Sequence, residues 1–149
     1  MAARMKLILM RHADAVDEGP LIDDGARYLS PRGRTQALDV GEQLGAALPD
    51  VVWASPFARA LQTAELVLRG AGEARLVQVM PPLATSSAVR FVERHVRDNQ
   101  EDAMFVGHEP TISAIATLLS QGEQRGGFDR AQAVVIEDGR VVRVVRARV

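Results

Sequence analysis

Residues 6–12 read KLILMRH, a basic residue, four apolar ones, then an arginine and a histidine. A short continuous apolar run bounded by polar residues marks a strand buried on both faces, and such strands belong to sheets covered by helices. Its C-terminal end opens at Arg11-His12 into residues 13–29. That stretch holds four aspartates, one glutamate, Gly19, Pro20 and Gly25 with no clean period. It reads as a long loop, and long loops inside compact domains are usually functional.

The same grammar repeats downstream. Ser30-Pro31 supplies an N-cap and a proline for the first helical position, and Ala37, Val40, Leu44 and Leu48 recur at helical spacing until Pro49. Residues 50–54 (DVVWA) predict a second strand. Ser55-Pro56 predicts a second capped helix with Leu61, Ala64, Val67 and Leu68 inward, ending at Gly70–Gly72. Residues 76–80 (LVQVM) predict a third strand. A helix capped by Ser86 or Ser87 follows to Asn99, with Val89, Val92 and Val96 inward. Residues 103–107 (AMFVG) predict a fourth strand that runs straight into His108, and Pro110 opens a helix carrying Ile112, Ile115, Ala116 and Leu119. Residues 133–145 (AVVIEDGRVVRVV) place Asp-Gly between two β-branched runs, a hairpin signal. Four strand–helix alternations and a hairpin imply a three-layer α/β/α sandwich with a mostly parallel central sheet and a C-terminal β-hairpin.

The length of 149 residues fits one domain spanning 1–149. The absence of cysteine excludes a disulfide scaffold, a thiolate metal site and a thiol nucleophile. A net charge of −1 gives no global field for nucleic acid or an anionic membrane. No apolar run approaches the roughly 20 residues of a membrane span, and the run at 7–10 is too short for a signal-peptide core. The expectation is a soluble, cytoplasmic chain without nucleic-acid or membrane partners; its oligomeric state is not legible.

In such sheets, ligands bind beyond the carboxyl ends of the strands. Arg11-His12, Ser55 to Arg59 and His108-Glu109 all fall at such ends. The rim thus collects two guanidinium forks, which match phosphate oxygens, and two imidazoles, which act as nucleophile or donor near neutrality. The helix starts after Ser55-Pro56 and Glu109-Pro110 add backbone N–H groups. This chemistry suits a phosphoryl group.

The ordered strings LILMRHADA, ASPFARALQTAELV and VGHEPTIS, with LSPRGRTQA at 29–37, resemble the signatures of the histidine phosphatase superfamily, the phosphoglycerate mutase-like fold. The short length and the RHADA, SPFARA and GHEP strings look most like its SixA branch of small protein-histidine phosphatases. The resemblance implies that His12 takes the phosphoryl group, that Arg11 and Arg59 clamp its oxygens, and that His108 donates to one of them. It also implies an extra phosphate-contacting arginine at Arg27 and a backbone donor at Glu109, with no metal and no cofactor.

Two positions depart from the pattern. Ala13 stands where the family usually has glycine. The stretch MPPLATSSAV at 80–89 lacks the carboxylate that mutase and phosphomonoesterase members place there as general acid. A positioned acid is worth about 10² to 10⁴ in rate when an alkoxide leaves. Imidazole is a far less basic leaving group, so the reading favours a phosphohistidine protein as substrate. Asp14, Asp17 and Glu18 are candidate replacement acids. The alternatives are a small-molecule phosphomonoesterase and a non-catalytic phosphate-binding module. Two adjacent guanidinium charges argue against a cation among His12, Asp14, His95 and His108. His95 reads as a surface residue, Ser55 as a helix cap, and Arg140, Arg143, Arg146 and Arg148 as edge-strand gatekeepers.

Overall fold

The computed structural model describes residues 5–149. Residues 1–4, which entered the reading of the N-terminus, lie outside the described part. The elements follow in the order β1 (Lys6–Arg11), α1 (Pro31–Leu44), β2 (Val52–Ala54), α2 (Ala58–Gly70), β3 (Gln78–Val79), α3 (Ala88–Asn99), β4 (Ala103–Gly107), α4 (Thr111–Leu119), β5 (Ala133–Glu137) and β6 (Arg140–Val145). One six-stranded sheet runs β3-β2-β4-β1-β5-β6. The four strands that alternate with helices pair in parallel, and the terminal hairpin joins antiparallel. This is the expected three-layer α/β/α sandwich.

The period of two along each strand splits the core. Ile8, Met10, Val52, Ala54, Met104 and Val106 face α1 and α2. Leu7, Leu9, Ala103 and Phe105 face α3 and α4. Each inner strand therefore needs apolar residues at every position, which is why the sequence shows runs rather than alternation. Ser30 caps α1 as expected, its Oγ accepting from Gly33 N at 3.0 Å. The second cap is different. The cap residue of α2 is Phe57, not Ser55, because Ser55 N is already tied to Val106 O at 3.0 Å and continues the sheet. The third strand is also shorter than the 76–80 reading: only Gln78–Val79 pair, at an edge that offers three residues of β2, and Leu76 is left exposed.

The edge strand β6 carries Arg140 and Arg143 outward, whereas Arg146 and Arg148 follow the strand rather than lie on it, so the edge-strand reading fits the first two only; each of the four finds a partner on the same chain. Arg140 meets Glu123 at 2.7 Å, Arg143 donates to Gln43 O at 2.9 Å, Arg146 meets Asp129 at 3.2 Å and Arg148 meets Asp39 at 2.6 Å. Charged side chains on an exposed edge oppose strand addition, in line with the gatekeeper reading. No helix among the described residues is long and apolar enough to cross a membrane.

Helices α1 and α2 approach at glycine. A Cβ added at Gly41 would run into the backbone of Val67, within a helix that cannot retreat from the sheet. Gly41→Ala should therefore lower unfolding stability by about 2 kcal/mol, overpacking outweighing the ~1 kcal/mol gain in helix propensity. Chemical denaturation checks this; a stabilised variant would mean that the helices can separate freely.

Candidate active site

The register of β1 on β4 sets the site. Arg11 lies opposite Gly107, and His12 N donates to Gly107 O at 3.0 Å, so the residues after both strands emerge side by side. The His12 and His108 rings sit 5.3 Å apart between centroids. The Phe57 ring, one residue before α2, lies 5.2 Å from the His108 ring, and the Arg59 guanidinium stacks on it at 5.1 Å. Arg11, Arg59, His12 and His108, delivered by three separate segments, thus form one cluster. A cleft of about 350 Å³ lined by Phe57, Arg59, Leu83, Thr85, His108 and Thr111 opens beside it.

His12 is buried, and its Nδ1 contacts Ala13 O at 2.8 Å. A carbonyl only accepts, so Nδ1 carries the proton and Nε2 keeps its lone pair. Nε2 makes no hydrogen bond among the described residues. Burial first, and then repulsion by His108, Arg59 and Arg11, lowers the His12 pKa to about 3 against the opposing hydrogen bond to Ala13. His108 is lowered to about 4, chiefly by burial and then by Arg59, while Asp24 pulls it up. Both rings are neutral at pH 7.

Three buried N–H or ring nitrogens of this cluster lack a partner among the described residues: Arg11 Nε, Arg59 Nε and His108 Nδ1. Leaving buried donors unmet costs about 1–3 kcal/mol each, and such groups in a native fold call for an explanation. An anion seated among them would supply their acceptors. Burial and the nearby Arg130 charge both depress the Arg11 pKa, which an anion would relieve.

Polar side chains of the first two helices hold the loop that follows His12. Thr63 Oγ1 accepts from Ala13 N at 3.0 Å, Gln36 Oε1 from Asp14 N at 3.0 Å and Gln62 Oε1 from Leu29 N at 2.8 Å. The methyl of Ala13 is fully buried in the core beneath the α1–α2 layer, which is how the chain accommodates the departure from glycine.

The remaining expected residues divide. Arg27 reaches the cluster indirectly, donating to Asp24 Oδ1 at 3.1 Å and to Val16 O at 2.8 Å. The Glu109 carboxylate is occupied by Ser113 N and Phe128 N, both at 2.9 Å, and its own backbone N–H has no acceptor among the described residues. Asp14 is tied to Ser30 Oγ at 2.6 Å and Arg130 at 2.7 Å, and Asp17 and Glu18 are exposed. None of the three touches the histidines or Arg59.

Asp24 does touch the cluster, and the sequence reading missed it. Its backbone O accepts from Arg59 Nη1 at 2.6 Å, and its Oδ2 from Nη2 at 3.3 Å. Within a five-carboxylate loop nothing marked it out beyond its spacing of three from Arg27. Ser55 was also misread. It is fully buried, and its Oγ lies 2.7 Å from His108 Nε2 while accepting from Phe57 N at 3.2 Å. When Oγ donates to Nε2, the proton of neutral His108 resides on Nδ1 and is presented as a donor. His95 is half-buried rather than on the surface: its ring meets Trp53 edge-on at 5.3 Å and Phe105 at 6.1 Å, because α3 lies across β2 and β4.

Comparison with known proteins places the family and the fold. Residues 7–84 match the histidine phosphatase superfamily (branch 1). An uncharacterized protein of Mycobacterium tuberculosis is 39% identical over 115 residues, covering 74% of this chain and 70% of its own. The structure of the protein histidine phosphatase SixA complexed with tungstate superposes with a TM-score of 0.83 at 23% identity, covering 95% of this chain and 97% of that one. Mycobacterial glucosyl-3-phosphoglycerate phosphatase superposes at 0.67 with 18% identity, over 99% and 98% of the two chains. The fold is thus shared by proteins named for a protein substrate and for a small molecule. The chain belongs to branch 1 of the histidine phosphatase superfamily, and is a phosphatase with a SixA-like fold.

Proposed function

We propose that this protein hydrolyses phosphohistidine on a protein through a phosphoryl-His12 intermediate. The observation that carries the reading is the free lone pair of neutral His12 beside three buried, unpartnered nitrogens on Arg11, Arg59 and His108. His12 Nε2 attacks phosphorus. Arg11 and Arg59 receive the equatorial oxygens, and His108 Nδ1–H donates to one of them. The backbone N–H of Glu109 adds a donor, and Arg27 acts through Asp24. Water then attacks the phosphoryl group, the P–N bond breaks with its electron pair returning to Nε2, and phosphate departs with the water's protons.

The leaving group selects the substrate class. The one carboxylate in contact with the clamp, among the described residues, is Asp24, and hydrogen bonding from Arg27 holds it below the usual carboxylate range. It is ionised at neutrality and has no proton to give. An alkoxide therefore leaves without help, whereas imidazole needs none. Similar structures include a protein histidine phosphatase and small-molecule phosphatases, so the same site is to be tested on both substrate classes.

His12→Ala should reduce turnover of p-nitrophenyl phosphate and of a phosphohistidine peptide to below a few per cent, with circular dichroism unchanged. Retained activity in a pure sample would remove His12 from the nucleophile role. Arg59→Lys keeps the charge and loses the fork, and should lower kcat/KM by about 10²-fold or more. Acid-labile labelling of wild type but not His12→Ala distinguishes turnover from phosphate binding alone, and alkyl phosphates slower than phosphohistidine by about 10² or more separate the two substrate classes.

The neutral state of His12 has a signature that needs no substrate. Its folded pKa lies below the unfolded value, so the unfolded chain binds the extra proton at acid pH. The contribution is complete above about pH 6.5 and is lost as pH falls towards 3, at up to about 1.4 kcal/mol per pH unit. Wild-type stability should decline between pH 6.5 and 4.5 more steeply than that of His12→Asn. Parallel curves would show that His12 is protonated in the folded state.

A further inference from the structure

We propose that the Asp24 carboxylate selects the substrate, receiving the protonated nitrogen ring of a phosphoramidate leaving group and disfavouring leaving groups without positive charge. This rests on the phosphohistidine reading and adds to it a residue outside the four-residue cluster.

The turn at Asp24–Ala26 lies directly on the clamp. Its backbone oxygen and one carboxylate oxygen take both terminal nitrogens of Arg59, at 2.6 and 3.3 Å, and the other carboxylate oxygen takes Arg27 at 3.1 Å. A Cβ added at Gly25 would reach van der Waals contact with the Phe57 ring, the same ring that packs on His108. Two guanidinium groups thus fix one carboxylate at the rim of the site. The Asp24 side chain nonetheless stays 48% exposed, against 8% for Arg59, and its charge acts on the His108 ring of the cluster. The other carboxylates near the rim are committed elsewhere, Asp14 to Ser30 and Arg130, Glu109 to two backbone amides.

A carboxylate placed beside a phosphate clamp is costly, because it repels the phosphoryl oxygens that the arginines attract. It cannot act as the missing acid while Arg27 and Arg59 hold it ionised. What it can do is attract a cation attached to the phosphoryl group. Phosphohistidine protonated on its second ring nitrogen is such a substrate. When His12 Nε2 bonds to phosphorus and the P–N bond breaks, the electron pair stays on the departing nitrogen and the ring leaves as neutral imidazole, its proton already in place. The phosphoryl group resides on His12, whose ring carries the positive charge. Water then adds, and dihydrogen phosphate and neutral His12 result, with no outside acid or base consumed. An aryl or alkyl phosphate brings no such cation to Asp24.

The test is the ratio of kcat/KM for a synthetic phosphohistidine peptide to kcat/KM for p-nitrophenyl phosphate, measured near neutral pH in wild type, Asp24→Asn and Asp24→Glu. Asp24→Asn keeps the shape and one of the two accepting oxygens but loses the charge and the second acceptor. It should lower the ratio about two- to fivefold, the worth of one partly exposed ion pair, and Asp24→Glu should recover most of it. If Asp24 merely positions Arg59, both substrates lose rate together and the ratio stays fixed, which overturns the proposal. An unchanged ratio with unchanged rates overturns it as well. Wild-type turnover of p-nitrophenyl phosphate without turnover of the peptide would instead reject the phosphohistidine reading, and this inference with it. Should Asp24→Asn fold poorly, Arg27→Gln offers a second route. It releases one of the two cations from Asp24, strengthens the field that remains for an incoming cation, and should raise the ratio; a fall would count against the proposal.

Discussion

The parallel pairing of β1 with β4 is the constraint on which the rest of the structure depends. Because Arg11 is registered on Gly107 and His12 N is bonded to Gly107 O, two histidines 96 positions apart in sequence emerge within one ring contact of each other. A slip of one residue would turn Arg11, together with Leu7 and Leu9, to the face covered by α1 and α2. Lys6 and Arg11 bound the apolar run of β1 and so mark where its register must lie. β2 extends the same logic: Ala54 pairs with Val106, so Ser55 arrives beneath His108 and α2 begins above it.

What the register assembles is an electrostatically expensive site. Two guanidinium groups and two imidazoles converge where His12 and Arg59 are buried, and the histidines give up their protons rather than add to the charge. The structure compensates in part through Asp24, which neutralises Arg59 and Arg27 from the rim. It leaves Arg11 Nε, Arg59 Nε and His108 Nδ1 unmet. Preorganised donors of this kind cost stability in the free protein and return it when an anion binds, since a ligand that binds only the folded state stabilises it by mass action. The same donors need no reorganisation as charge builds on the phosphoryl oxygens.

How much of this was legible follows from range. The strands and the sandwich could be read because buried parallel strands are written as unbroken apolar runs, and the rim because each run ends on the residue that leaves the sheet. Caps are local, so Ser30 could be read from Pro31 and Gly33. Ser55 carried the same local signal, yet its backbone is spent on Val106 and its hydroxyl on His108, both distant in sequence. Asp24 failed for the related reason that its partner Arg59 lies 35 positions away, and a loop of five carboxylates gives each an equal claim. His95 shows the converse: helix α3 placed its neighbours correctly, but the aromatic wall of Trp53 and Phe105 belongs to two strands that meet it only in three dimensions.

The departure at residues 80–89 and the position of Asp24 bear on one another. A fold that serves several phosphate substrates keeps the nucleophile and the clamp, because every phosphoryl group presents the same oxygens; what must change with substrate is the handling of the leaving group. Where the leaving oxygen needs a proton, a neutral acid has to stand in line with it. Here Pro81–Ala84 forms a short 3-10 turn with Leu83 buried, and no acid stands there. The carboxylate that does reach the clamp is paired with two arginines and stays charged. A charged carboxylate and an absent acid would each impair ester hydrolysis taken alone. Together they suit a leaving group that brings its own proton, and it is this pairing, rather than the shared fold, that supports the proposed phosphorus–nitrogen substrate.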